Sequence, residues 1–181
     1  MTQLNSKLVG LCLVFAAVPL FGQTATTPSF KDTYLSQLKD VESKVVALAE
    51  ATPQEKYSWR PAEGVRSVSE VFVHIASANF FFVTMTGVKM PAGVVSPNSE
   101  KTVTDKAKVI ALVKQSFAHV RDNVSAMSDA DMAKETKMFG KPATYETVLF
   151  FMSNHMHEHL GQSIAYARVN GITPPWSKKE N

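Results

Sequence analysis

Cysteine is almost missing from this chain. Cys12 is the only one among 181 residues, so no disulfide can form within one chain and no multi-cysteine metal site is available. Charge of one sign is also scarce. Lys and Arg number 19 against 16 Asp and Glu, a formal balance of +3. No Lys/Arg block is present that could follow a phosphate backbone, and nothing in the balance argues for nucleic acid. Internal repeats and low-complexity tracts are absent too, and no alternating strand pattern competes with the helical ones. What remains is 45% hydrophobic residues, enough to bury a core without covalent cross-links.

The first stretch reads as a leader. Lys7 gives a short positive region, and Leu8 to Phe21 is apolar. Gly22-Gln23-Thr24-Ala25 follows, small and polar. That order is the signature of a secretory signal peptide over residues 1–25, cleaved near residues 22–25. At about 14 residues, the run is shorter than the roughly 20 that a spanning helix needs. Leu11 is not the small residue expected before a lipid-bearing Cys12. The expected location is therefore periplasmic or secreted, with no membrane attachment after cleavage. The mature chain would contain no thiol, so its stability must come from packing, alone or with a metal ion.

Helical periodicity dominates the rest. Tyr34, Leu38, Val41, Val45 and Leu48 recur at steps of three and four, predicting a helix from Phe30 to Glu50. Ser67-Val68-Ser69-Glu70 is a capping box, opening a second helix over 68–86 with Val71, Ile75, Ala78, Phe82 and Met85 on its stripe. Phe80 and Phe81 widen that stripe, so this helix must be covered by more than one neighbour or by a second subunit. A third helix is expected over 104–127, on Val109, Leu112 or Val113, Phe117, Val120 and Val124. Thr144 is a suitable N-cap for a fourth, which Gly171 and the pair Pro174-Pro175 terminate near Asn170. Residues 51–66, 87–103 and 128–143 read as irregular connections. Four long amphipathic helices in one domain, 26–176 with a polar tail at 177–181, make an all-α four-helix bundle.

Three of five histidines fall in the fourth helix, in Asn154–Gln162 (NHMHEHLGQ). His155 and His159 are four apart and share a face, so both imidazoles can reach one ion. Val148, Met152, Gln162 and Tyr166 lie on that face, which turns the pair inward. His74, on the flank of the second helix's stripe, is the best third ligand. His157 points away from the pair and reads as a surface residue or one bonded to a neighbouring helix. His119, in a charged stretch, reads as a surface residue. Gln162 and Tyr166 are placed to touch a water on the ion, although Tyr166 also fits a plain core role. Asn154 and Glu158 are placed to orient a histidine N–H, although Glu158 also fits a solvated helix face. Trp59 and Trp176 read as packing residues at the bundle ends.

Two segments carry a family resemblance. Trp59–Ala76 (WRPAEGVRSVSEVFVHIA) resembles the entry to the second helix of the DinB/YfiT-like family, and Asn154–Pro175 (NHMHEHLGQSIAYARVNGITPP) resembles its last helix. The resemblance implies up-down-down-up connectivity, a tendency to form homodimers, and metal ligation by His74, His155 and His159. Many relatives have a histidine where this chain has Glu158, and others an aromatic residue where it has Arg66. Some relatives are thiol-dependent transferases or isomerases, but their thiols are mainly cytoplasmic, which an exported chain would not meet.

A three-histidine site leaves a coordination position open, as catalytic zinc sites do. Imidazole ligands admit Zn, Ni, Fe or Mn. The leading expectation is a metal-dependent hydrolase or transferase acting on an unknown small molecule, with its catalytic residues unassigned. The alternative is a non-catalytic module in which the ion pins the second helix to the fourth and Phe80-Phe81-Phe82 serves assembly. The leader reading predicts that N-terminal sequencing of the exported protein finds its first residue within 23–26; an intact residue 1 in that fraction would remove it.

Overall fold

The computed structural model describes residues 27–177. The leader expected over 1–25 lies outside the described residues, as does all but the first residue of the expected tail. Helix α1 spans Phe30–Ala51, and the side chain of Ser29 caps it by accepting from the Asp32 N–H. Helix α2 spans Val68–Val83 and runs on as a 3-10 turn to Thr86. A single-turn helix α3, Ser99–Thr102, precedes α4, Lys106–Ser125, capped by Asp105. Helix α5 spans Tyr145–Val169, capped by Thr144. Gly171 ends it with a positive φ of 74°, the left-handed conformation glycine tolerates at no steric cost.

Helix α1 packs on α4 and α5, and α2 packs on the same two, so α1 and α2 sit on one diagonal and α4 and α5 on the other. Side-chain bonds give the directions. Lys31 reaches the Met127 carbonyl and Lys106 the Glu50 carbonyl, so α1 and α4 are antiparallel. Tyr34 meets Met152 while Thr52, at the far end, lies with Tyr166 and Ala167, so α1 and α5 are parallel. Asn79 bonds Ser116, and Lys101, in the turn just ahead of α4, bonds Glu70 at the start of α2, so α2 and α4 run the same way. The bundle is up-down-down-up. Because α2 and α4 are parallel, the chain must return the length of the bundle between them, and residues 84–105 do so.

Contact with both α4 and α5 explains the width of α2's apolar face. Phe72, Ile75, Phe80 and Val83 are fully buried, each contributing roughly 1.5–3 kcal/mol through burial. Helix α2 with its 3-10 turn is the only described helix long and apolar enough to cross a membrane, yet 72% of that window is buried inside the bundle. Within the Phe80-Phe81-Phe82 run only Phe81 is substantially exposed, at 48%.

Residues 128–143 depart from the expectation of an irregular stretch without strands. Glu135–Met138 pairs antiparallel with Lys141–Thr144. The strands are four residues each and lack apolar alternation, and the turn is Phe139-Gly140 in place of the Asn-Gly or Asp-Gly that marks a two-residue hairpin loop. Both turn residues have positive φ, 51° and 79°. The Thr136 hydroxyl donates to the Met85 carbonyl at 2.6 Å, fastening the hairpin to the end of α2.

At the other end of α2 the capping box is complete: Ser67 accepts from the Glu70 N–H and Glu70 from the Ser67 N–H. Arg60 and Lys101 each donate to the same carboxylate at 2.9 Å. Burial works against ionisation of Glu70, but the bonds from Lys101, the Ser67 N–H and Arg60 outweigh it and hold its carboxyl down to about 2. A depressed native value means that this stabilisation is full above the unfolded value of roughly 4.3 and is lost as pH falls toward 2. Glu70→Gln is expected to lower unfolding free energy by roughly 1–3 kcal/mol at pH 7. In denaturant titrations that deficit should shrink between pH 5 and 2; a deficit independent of pH would remove the carboxylate from the account.

Candidate metal centre

His74 lies two turns into α2, and His155 and His159 lie one turn apart in the middle of α5. The two helices are antiparallel neighbours, so the three rings meet between them. Ring centroids are 5.0 Å apart for His74 and His155, 4.6 Å for His74 and His159, and 4.5 Å for the α5 pair. One nitrogen from each ring falls within 4.8 Å of the others. His74 Nε2 and His155 Nε2 are 3.2 Å apart. Two nitrogens each about 2.0–2.1 Å from one ion at a tetrahedral angle stand roughly 3.3 Å apart, so the spacing fits a shared ion.

The far nitrogens decide which atoms face that point. His74 Nδ1 lies 2.7 Å from Glu100 Oε1. A carboxylate only accepts, so Nδ1 carries the proton and neutral His74 turns an Nε2 lone pair inward. His159 Nδ1 lies 2.8 Å from Gln162 Oε1, with the same consequence. Gln162 Nε2 then donates to the Tyr166 hydroxyl at 2.9 Å, and that hydroxyl donates to the Arg66 carbonyl at 3.2 Å. The Arg66 side chain bonds Glu100 through Nε at 2.7 Å. A chain of hydrogen bonds thus runs from His159 to residue 66 and from residue 66 to His74. Trp59 stands edge-on to the Tyr166 ring at 5.3 Å and fixes it.

Charge states agree with the geometry. Burial first, and then the neighbouring His159 and His74, push His155 down to about 4. Burial pushes His74 below its ordinary value, with Glu100 opposing. Burial opposes ionisation of Glu100, yet Arg66 and His74 hold its carboxyl below the usual range. Both imidazoles are therefore neutral at pH 7, the form that ligates metals. The three histidines can hold a metal ion, and they supply three protein ligands.

The other candidates fall elsewhere. Asn154 and Glu158 are exposed and bond none of the three rings; each precedes a ligand by one residue, and a helix turns its side chain about 100° toward solvent. The orienting partners are Glu100 and Gln162. Gln162 and Tyr166 stand on the Nδ1 side of His159, behind the ring. His157 is exposed and bonds Ser153 O on its own helix. His119 departs from the surface expectation: it is half-buried, stacks obliquely on Phe80 at 5.4 Å, and has an Nε2 with no partner. Its position beside Phe117 and Val120 outweighed its charged surroundings. Trp176 is 40% exposed.

Sequence reasoning missed Glu100, which lies in the long connection where periodicity is silent. It also missed an aromatic wall on the other side of the centre. Phe82 meets the His155 ring at 5.3 Å and Phe151 at 5.2 Å, and Phe139 from the hairpin meets Phe82 at 5.9 Å and Phe151 at 5.6 Å.

The sequence pattern of the DinB superfamily matches residues 37–163. No curated protein matches the chain. Solved structures that share the fold include the following three. A DinB-like protein from Bacillus cereus is 21% identical, with a TM-score of 0.69 over 78% of this chain and 93% of its own. A DinB-like protein from Bacillus subtilis, YjoA, is 21% identical, with a TM-score of 0.64 over 82% and 99%. YfiT from Bacillus subtilis is 16% identical, with a TM-score of 0.61 over 79% and 89%. That protein is described as a probable metal-dependent hydrolase with an unusual four-helix bundle topology.

Untagged protein is expected to carry one divalent ion per chain by elemental analysis, and His155→Ala to lose it. Glu100→Ala should keep the fold and weaken metal affinity about 10–100-fold. Full retention of metal by His155→Ala would exclude the three-histidine site.

Proposed function

Because the chain belongs to the DinB superfamily, and because its three histidines converge with two of them held in the ligating tautomer, we propose that it is an exported metal-dependent hydrolase of small molecules. One observation carries the reading. Glu100 and Gln162 hold the Nδ1 protons of His74 and His159, so both Nε2 lone pairs are aimed at one point before an ion arrives, and three ligands leave a position free for water or substrate.

A divalent ion held there supplies Lewis acidity toward a carbonyl or phosphoryl oxygen and lowers the pKa of water. The chain's own residues do the positioning. Glu100 fixes the plane and proton of the His74 ring, and its negative charge is shared with Arg66. Gln162, locked by Tyr166, does the same for His159. His155 has no second partner among the described residues and its ring is partly exposed, so the centre is least enclosed by polar contacts on its side.

The choice of hydrolysis over thiol transfer rests on the expected leader, since an exported chain would not meet the mainly cytoplasmic thiols that such transfer uses. Zn, Ni, Fe or Mn each suit the donor set. The test is a panel of ester, amide and phosphoester substrates presented to protein loaded with each metal in turn. Turnover of at least one class is expected, falling about 100-fold or more in His155→Ala. Equal turnover by the variant, or none by any loaded wild-type protein, would overturn the proposal.

A further inference from the structure

Phe139 occupies a position that local chemistry argues against. It is the first turn residue of the β-hairpin and has a φ of 51°. Such a turn favours Asn, Asp or Gly, and a bulky residue in this region is a backbone outlier. The ring is not hidden in exchange: Phe139 is 60% exposed. It stands on edge against both Phe82, at 90° between ring planes, and Phe151, at 74°. Phe82 in turn stands at 72° to the His155 ring. Ring-to-ring packing therefore runs from His155 through buried Phe82 to the tip of a hairpin that is itself tied to α2 by Thr136.

The position of this wall relative to the ion is defined by what closes the other sides. Glu100 and Arg66 occupy the Nδ1 side of His74, and Gln162 and Tyr166 that of His159, the most buried of the three at 8% exposure. His155 is the ligand without a polar backing, and its neighbour is Phe82.

We propose that Phe139, with Phe82 and Phe151, forms the apolar subsite of the metal centre and seats an aromatic group carried by the substrate beside its metal-seeking oxygen. This rests on the open metal position proposed above. Phe139 and half-buried Phe151 keep ring surface free for a further ring in the same edge-on arrangement, with Phe82 buried behind them. The strained turn holds Phe139 at that place, where an asparagine would satisfy the backbone and offer no ring. Phe139 is a specificity residue and takes no part in ligation.

Two hydroxamates with the same chelating head separate the subsite from the ion. Acetohydroxamate and benzohydroxamate are titrated calorimetrically into zinc-loaded wild-type protein, Phe139→Asn and Phe139→Leu. Wild type is expected to bind benzohydroxamate about tenfold more tightly. Phe139→Asn, whose turn is unstrained, should keep its melting temperature and its acetohydroxamate affinity and lose most of that preference. Phe139→Leu should fall between. An unchanged preference in Phe139→Asn, or none in wild type, overturns the subsite while leaving the metal position standing. Failure of acetohydroxamate to bind wild type overturns both.

Discussion

The centre depends on two protons, those on Nδ1 of His74 and His159. Each is held by an oxygen that only accepts, from Glu100 and from Gln162. Without those bonds a neutral imidazole is free to carry its proton on either nitrogen and to turn about its side-chain torsions. With them, the lone pairs converge and the rings are fixed. The rest of the local structure can be understood as what keeps the two oxygens in place: Tyr166 and Trp59 behind Gln162, and Arg66 beside Glu100.

Topology supplies one of these oxygens. Parallel α2 and α4 oblige the chain to travel back along the bundle, and the end of that return passes the start of α2. Two consecutive residues of α3 take hold there. Glu100 meets Arg66 and His74, and Lys101 meets Glu70. The same turn thus braces the N-terminus of α2 and orients a ligand two turns further on, so the connection is part of the site.

Much of this was legible in the sequence, and the failures have physical causes. The stripes of α1 and α4, the Ser67–Glu70 box and the Thr144 cap were readable because local periodicity and capping act over three or four residues. The α5 pair was readable for the same reason, and His74 because it flanks a buried stripe. Glu100 was not, since its role depends on where a 22-residue return ends, which no local signal encodes. The hairpin was hidden by short strands and an untypical turn. Asn154 and Glu158 share the face next to the ligands, but that face turns toward solvent, as the solvated reading of Glu158 has it. The charged neighbours of His119 suggest a surface position, but its apolar ones decide its burial.

Residues 13–181 contain no cysteine, which gives the histidine cluster a mechanical meaning. His74 and His155 are 81 residues apart, so an ion shared between them ties a loop longer than two of the bundle's helices together. An ion that binds only the native chain does not shorten the unfolded one, as a disulfide would; it stabilises by mass action, with the logarithm of its free concentration over its Kd. The chain would then possess a staple that a chelator, unlike a reductant, can open.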